Sequence, residues 1–189
     1  PIVTLAGLFV LWRDAVTPKR AAGLGFAFGA GLFGAGVPWI GIALVSFGGM
    51  PLPLAAIGMA GFCAYLALFP ALAGWAVARA TPAGSAWRLA AAAGAWTLAE
   101  WLRSFVLTGF PWLAVGHAQL PGSTLAGFAP VGGVFLVSLA VAIAAALVAL
   151  AIDALAQNAP KRVAAAAAGV VALFIAGAAL DRIEWTAPR

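Results

Sequence analysis

The chain has 189 residues, of which 65% are hydrophobic and only 8% are charged, and its mean hydropathy is +1.10. A soluble domain has roughly 25% charged residues, so this composition excludes a soluble globular protein and indicates an integral membrane protein. The net charge of +5 does not indicate nucleic-acid binding, because the basic residues stand singly or in pairs at the ends of apolar runs.

Two long segments, residues 21–78 and 104–152, contain no Asp, Glu, Lys or Arg. Each is long enough for about two spans of 20 residues, joined by a turn. Both are apolar on every face, which favours helices over the alternating strands of a barrel. We therefore predict an all-α, polytopic transmembrane helix bundle. It has a partial first span at residues 2–11 and about five full spans at residues 21–47, 53–78, 88–107, 126–152 and 163–180.

The first span is short. The chain begins at Pro1 without Met, and the apolar residues before Trp12 and Arg13 make up roughly half of the length that a span needs. A cleaved signal peptide would not leave half a span behind. We therefore expect the chain to be cut within or just before its first helix.

The basic residues lie on alternate connections, which predicts the orientation. One side of the membrane receives Arg13, Lys19, Arg20, Arg79, Arg88, Lys161 and Arg162. The other side receives the turn at residues 48–51, the loop after Arg103 and the C-terminal end. Since positive loops remain in the cytoplasm, we expect that second group to face outward.

The second span is rich in glycine. Small residues at four-residue spacing let helix backbones approach closely, so we expect this span to pack at the centre of the bundle. Residues 29–34 also spell GAGLFG, but no strand precedes them and no acidic residue follows at the required distance. The sequence therefore predicts helix packing there and no dinucleotide cofactor.

The fourth predicted span contains two charges of opposite sign. Counted from Arg88, Glu100 lies about 18 Å and Arg103 about 22 Å along the helix, well inside a hydrocarbon layer of roughly 30 Å. An unpaired charge at the centre of a span costs about 2.5 to 3.5 kcal/mol on insertion scales. Two interpretations remain open: a structural ion pair that fixes this span against its neighbours, or a polar mouth that receives a phospholipid headgroup or positions an outer domain.

The loop after this span contains a break at Gly109, Pro111 and Trp112. Tryptophan is enriched at membrane interfaces, and the flanking glycine and proline indicate a shaped loop that dips back into the outer leaflet.

Neither His117 nor Cys63 is a convincing catalytic residue. His117 is the only histidine and Cys63 the only cysteine, so they supply neither a disulfide nor a metal site. No acidic residue near His117 could orient its ring, and Cys63 lies in the middle of a predicted span with no cation to activate it. We predict no catalytic residue, no metal and no cofactor in this chain.

Three segments resemble the membrane region of bacterial apolipoprotein N-acyltransferases. They are GAGVPWIGIALVSFGGMP (34–51), EWLRSFVLTGFPWLAVGHAQ (100–119) and LAGFAPVGGVFLVSL (125–139), and the resemblance continues to the IEWTAP end. His117 departs from it, because relatives often have Tyr there. The resemblance implies that residues 1–189 are a transmembrane domain truncated at both ends, with a nitrilase-like domain following residue 189 on the periplasmic side of the bacterial inner membrane.

The resemblance also implies a reaction. Members of this family transfer an acyl chain from a phospholipid to the α-amino group of the diacylglyceryl-cysteine of an apolipoprotein, through a Glu, Lys and Cys triad. None of those three residues can be matched here, so we expect this chain to be inactive alone. The resemblance implies that the outward-facing residues Glu100, Arg103, Gly109, Pro111 and Trp112 bind the phospholipid substrate, with Gly48, Gly49 and Pro51 on the adjacent turn. We expect the chain as a whole to anchor the catalytic domain and to help admit phospholipid.

Two other functions remain open at this stage. A small multi-pass transporter or channel would need more polar groups at mid-membrane depth, or two broken spans in corresponding halves, and no internal repeat is visible. A purely structural membrane subunit would leave the FPW segment unexplained.

Overall fold

A computed structural model describes residues 1–185, and all regular elements within them are helical. The α-helices are α1 (Ile2–Asp14), α2 (Pro18–Gly36), α3 (Pro38–Ser46), α4 (Leu52–Ala80), α5 (Ala86–Arg103), α6 (Ala129–Ala156) and α7 (Pro160–Asp181). Three short 3-10 turns, Val106–Thr108, His117–Gln119 and Thr124–Phe128, lie between α5 and α6. The prediction of an all-α bundle is confirmed.

The number of spans is lower than the sequence predicts. Among the described residues, three helical segments are long and apolar enough to cross a membrane: Leu52–Ala80, Thr124–Ala156 and Pro160–Asp181. There are four if α2 and α3 together count as one span, so the prediction of about five full spans is wrong. The main difference is α5, which contains Arg88, Glu100 and Arg103 within its 18 residues, and each charge lowers the hydropathy of the segment.

The segment predicted as one span at residues 21–47 is a bent pair of helices. The axes of α2 and α3 differ by 50°, and the break falls at Val37, whose φ is −125° and ψ is 28°. Pro38 is the physical cause, because it has no N–H to donate and it disfavours helical geometry in the residue before it. The outer part of this span therefore leaves the direction of α2.

Close packing between α2 and α4 depends on two glycines. A Cβ atom at Gly29 would lie 2.6 Å from Cγ of Pro70 and 2.9 Å from Cα of Ala67, and one at Gly25 would lie 2.7 Å from the carbonyl carbon of Pro70. Gly23 and Gly31 have no such neighbour. Close helix approach is thus confirmed for one face of α2. The predicted position at the centre of the bundle is wrong, because α2 packs mainly on α4 and buries only Ala21, Gly25, Gly29 and Phe33.

Arg88 ties three helix ends together at the end of the bundle where the basic residues lie. Its side chain is only 2% exposed, although the sequence places it where α5 leaves the water. The guanidinium donates hydrogen bonds to the carbonyl oxygens of Trp12 (3.3 Å), Ala15 (2.7 Å) and Ala78 (3.2 Å). It also donates to those of Arg13 and Thr81 and to the Thr81 hydroxyl. Arg88 therefore fixes the start of α5 against the ends of α1 and α4.

Candidate functional site

The loop at residues 104–119, here called the FPW loop, begins where α5 ends. Three consecutive residues, Leu107, Thr108 and Gly109, have positive φ angles of 50°, 76° and 80°. This region of backbone space is unfavourable for leucine and for β-branched threonine. A Cβ atom at Gly109 would overlap the carbonyl oxygen of Ser104, so glycine is required at that position. The loop is held in a conformation that its own residues do not favour.

Arg103 holds the first part of the loop by its backbone. Its Nη1 donates hydrogen bonds to the carbonyl oxygens of Phe110 and Trp112, the latter at 2.6 Å. The guanidinium lies 5.1 Å from the centroid of the Phe33 ring, which adds a cation–π contact. The side chain is 3% exposed, so carbonyl dipoles and an aromatic face stabilise its charge in place of water.

Glu100 holds the second part of the loop. Its Oε1 accepts a hydrogen bond from the backbone N–H of Val115 (2.9 Å) and another from the indole N–H of Trp96 (3.0 Å). The side chain is 4% exposed. Because Trp96 is one helical turn before Glu100 on α5, the indole also fixes the direction of the carboxylate.

The two charges do not form an ion pair with each other. The salt bridges within residues 1–185 join Arg13 to Asp14 and to Asp153. Arg103 contacts the loop carbonyls and the Phe33 ring, and Glu100 contacts the loop and Trp96. The structural alternative of the sequence analysis is thereby corrected. Both charges still have a structural role, because they hold the loop backbone. The loop turns back over α5, so that its carbonyl oxygens meet Arg103 and the N–H of Val115 meets Glu100.

A small cavity lies beside these side chains. Leu32, Phe33, Phe69, Pro70, Trp96, Ala99 and Leu113 line it together with Glu100 and Arg103, and its volume is about 10 Å³. The Oε2 atom of Glu100 is buried and accepts no hydrogen bond from residues 1–185. A cavity of this size is close to the smallest that holds one water molecule.

The end of the loop is anchored to α6. The backbone N–H of Gly116 donates to the hydroxyl of Ser138 at 3.0 Å, and Ser138 is fully buried. A Cβ atom at Gly116 would lie 3.0 Å from that hydroxyl and from the backbone nitrogen of the same serine. Sequence reasoning missed Ser138, although it is an isolated hydroxyl in an apolar run, which is a usable signal.

The remaining candidate residues lie on the outside of the loop. Pro111 and Trp112 are exposed, with 59% of Trp112 accessible, and Gly109 is partly buried. The Trp112 ring meets Trp39 of α3 edge to face at 6.1 Å between centroids, and Phe110 meets Phe62 of α4 at 5.0 Å. The five predicted residues therefore belong to one structure with buried charges inside and an apolar surface outside.

A larger cavity of about 640 Å³ lies on the other side of the loop. It is lined by Pro1, Thr4 and Leu5 of the first helical segment, by Phe28 and Leu32 of α2, and by Trp112, Leu113, Ala114, Val115, His117 and Ala118. His117 contributes to this wall and is exposed, whereas Cys63 lies on α4 and is not part of it. The loop thus forms one wall of a mainly apolar cavity.

The sequence analysis places the turn at residues 48–51 next to the FPW loop, but in the structure the length of α3 separates them. Trp39, which touches the loop, is at the start of α3, and Gly48 follows the end of that helix, about 14 Å farther on. Gly49 adopts a φ of 63° there. This turn therefore lies at the far end of α3 from the loop.

Comparison with known proteins identifies the family of the chain. Residues 1–147 match the family described as the apolipoprotein N-acyltransferase N-terminal domain. The chain is 48% identical over 189 residues to the apolipoprotein N-acyltransferase of Nitrosomonas europaea, which covers 100% of this chain and 37% of that protein. It is 44% identical over 190 residues to that of Chromobacterium violaceum, covering 100% of this chain and 35% of the relative.

Another relative, the apolipoprotein N-acyltransferase of Ralstonia nicotianae, is 43% identical over 192 residues, which is 99% of this chain and 35% of the relative. The chain therefore spans little more than a third of the length of these proteins. The chain belongs to the apolipoprotein N-acyltransferase family and corresponds to the N-terminal region of its members.

Proposed function

We propose that this chain is the membrane-embedded part of an enzyme that transfers an acyl chain from a phospholipid to the N-terminal diacylglyceryl-cysteine of apolipoproteins. The observation that supports this most strongly is the family match along the whole chain. In this proposal the bundle lies in the bacterial inner membrane, with the end of α7 on the periplasmic side. It anchors a catalytic domain there and helps to admit the phospholipid.

The FPW loop is the part that meets the phospholipid. Glu100 and Arg103 are positioning residues, because they are buried and act on the loop backbone. Pro111 and Trp112 form the exposed apolar surface over which an acyl chain can move. Strained backbone at Leu107 and Thr108 supports this assignment, since such strain is concentrated at functional segments that the surrounding structure holds in place.

The experiment compares two exposed tryptophans of α5 and its loop in the native protein. We expect Trp112→Ala to lower the rate of acyl transfer from a labelled phospholipid to a diacylglyceryl peptide and to raise the KM for the phospholipid. Trp87→Ala is the matched control, because Trp87 is 79% exposed at the opposite end of α5. Equal rates for Trp112→Ala and the wild type, at equal membrane insertion, would show that the loop does not serve phospholipid entry.

A further inference from the structure

A groove runs between α4 and α5 on the outside of the bundle, away from the FPW loop tip. It has a volume of about 410 Å³ and an almost entirely apolar wall: Tyr65, Leu68, Phe69, Leu72, Ala73, Ala76, Ala95, Leu98, Ala99, Leu102 and Val106. The alanines form a shallow floor, and the exposed leucines form raised edges. This alternation of small and large residues produces a furrow wide enough for a flexible hydrocarbon chain.

The groove has the length of one membrane leaflet. From Tyr65 to Ala76 it follows α4 for about 16 Å, whereas half of a hydrocarbon core of roughly 30 Å is about 15 Å. Its inner end is closed, because the Tyr65 hydroxyl donates a hydrogen bond to the carbonyl oxygen of Val106 at 3.1 Å. At the other end the lining on α4 stops at Ala76, one helical turn before the end of that helix.

Arg79 lies about one helical turn beyond Ala76, the last α4 residue that lines the groove. It is seven residues after Leu72 on α4, which places the two on the same helix face, and its side chain is exposed. Within residues 1–185 its guanidinium makes no side-chain hydrogen bond or ion pair, unlike Arg13 and Arg88 at the same end of the bundle. An unpaired cation at the mouth of an apolar furrow matches an anionic headgroup joined to an acyl chain.

A second groove shows what is specific about this one. The groove between α5 and α6 is similar in volume, about 370 Å³, and is lined by Ala86, Leu89, Ala90, Ala93, Gly94, Leu139, Ile143, Ala146, Leu147 and Leu150. The basic residues of α5 are Arg88 and Arg103, which are both buried, and α6 contains none. Neither helix of that groove therefore supplies an exposed cation for a headgroup.

We propose that the α4–α5 groove binds an anionic phospholipid, with one acyl chain between Tyr65 and Ala76 and the phosphate at Arg79. The headgroup of this lipid lies on the basic side of the bundle, and its acyl chain reaches Val106 of the FPW loop at the inner end of the groove. Because its headgroup lies in the leaflet on the basic side, this lipid is separate from an acyl donor that enters from the outward-facing side, and it supports the bundle. The proposal does not depend on the enzymatic activity.

The test uses the native protein in vesicles that contain phosphatidylglycerol or phosphatidylcholine with the same photoreactive acyl chain. We expect phosphatidylglycerol to be cross-linked preferentially to peptides containing residues 65–76. Arg79→Gln should lower that cross-linking about fivefold, since one cation near an anionic lipid surface contributes that much to affinity. Arg79→Lys should retain it, and Ala76→Leu, which fills the groove, should reduce cross-linking of both lipids.

The matched control is Arg162→Gln, because Arg162 is another exposed cation at the same end of the bundle. An equal loss for Arg162→Gln and Arg79→Gln would show general attraction to the surface and would overturn the site. Equal cross-linking of the two lipids in the wild type would also overturn it. Cross-links from a photoreactive residue at position 72 to a second protein chain would show that a helix, and not a lipid, occupies the groove.

Discussion

Glu100 holds the loop through one carboxylate oxygen, which allows the need for its negative charge to be tested. Oε1 accepts both hydrogen bonds, whereas Oε2 accepts none from the described residues. Glu100→Gln keeps an oxygen acceptor for Val115 and Trp96 but puts an NH₂ group where Oε2 has no partner, so we expect it to lower the free energy of unfolding by about 1–3 kcal/mol. Glu100→Ala leaves two buried N–H donors without a partner and should cost about 1–3 kcal/mol for each donor.

Reversible unfolding in detergent micelles measures both variants. Trp96→Phe is a useful intermediate, because it removes only the indole donor while keeping an aromatic ring in the bundle. If Glu100→Gln is as destabilising as Glu100→Ala, then the negative charge itself is needed, and the account of Glu100 as a backbone acceptor is wrong.

Gly109 supports the loop through its backbone conformation. At a φ of 80°, with the Ser104 carbonyl against the Cβ position, we expect Gly109→Ala to destabilise the protein by about 1–3 kcal/mol. Gly122→Ala is the control, since a Cβ atom there meets nothing within 4 Å. Limited proteolysis at residues 104–119 should speed up in Gly109→Ala alone. Equal proteolysis of the two variants would show that the loop tolerates a side chain at residue 109.

At the scale of the helices, the glycines of α2 divide into two groups by face. Gly29→Ala places a methyl group against Pro70 and Ala67 of α4, so overpacking should cost about 1–3 kcal/mol. Gly31→Ala, two residues along the same helix, meets open space and should be neutral or stabilising by up to about 1 kcal/mol. Thermal unfolding of both variants separates the two effects. A loss of stability in Gly31→Ala equal to that in Gly29→Ala would contradict the assignment of faces.

The helical elements could be predicted from the sequence because apolar runs and breaking residues are local signals. The positions of α4, α6 and α7 follow from them, and so does the glycine contact of α2. The bend at Val37 was also encoded locally, by Pro38, but the long apolar run concealed it. The predicted number of spans was too high because the three charges of α5 lower its mean hydropathy, although the helix is long enough to span. Only the fold shows that a loop returning over α5 supplies hydrogen-bond partners to Glu100 and Arg103.

The candidate site shows the same division. Residues of the FPW loop could be chosen from the sequence, because charge inside an apolar segment and a Gly–Pro–Trp break are unusual there. Their partners could not, since Phe33, Val115 and Ser138 are distant in sequence or act through backbone atoms. Hydrogen bonds to a backbone leave no residue-type signal, and for this reason the ion-pair interpretation was reasonable and still incorrect.

At the scale of the whole molecule, the distribution of basic residues predicts which end of the bundle faces the cytoplasm. Gln157 follows α6 at the end that contains Arg13, Arg88 and Asp153, and Glu184 follows α7 at the other end. The α7 helix between them has 22 residues and a length of about 33 Å. That length exceeds a hydrocarbon core of roughly 30 Å, so the two residues must lie on opposite sides of a membrane that α7 crosses.

Cysteine labelling tests this orientation directly, because Cys63 is the only thiol within residues 1–189. In a Cys63→Ser background, a membrane-impermeant maleimide added to intact spheroplasts should label Glu184→Cys at once, and should label Gln157→Cys only after the membrane is permeabilised. The reason is that the basic residues Lys161 and Arg162, close to Gln157, keep the connection between α6 and α7 on the cytoplasmic side. Labelling of Gln157→Cys in intact spheroplasts would invert the bundle, and would place the FPW loop on the side away from any periplasmic acceptor.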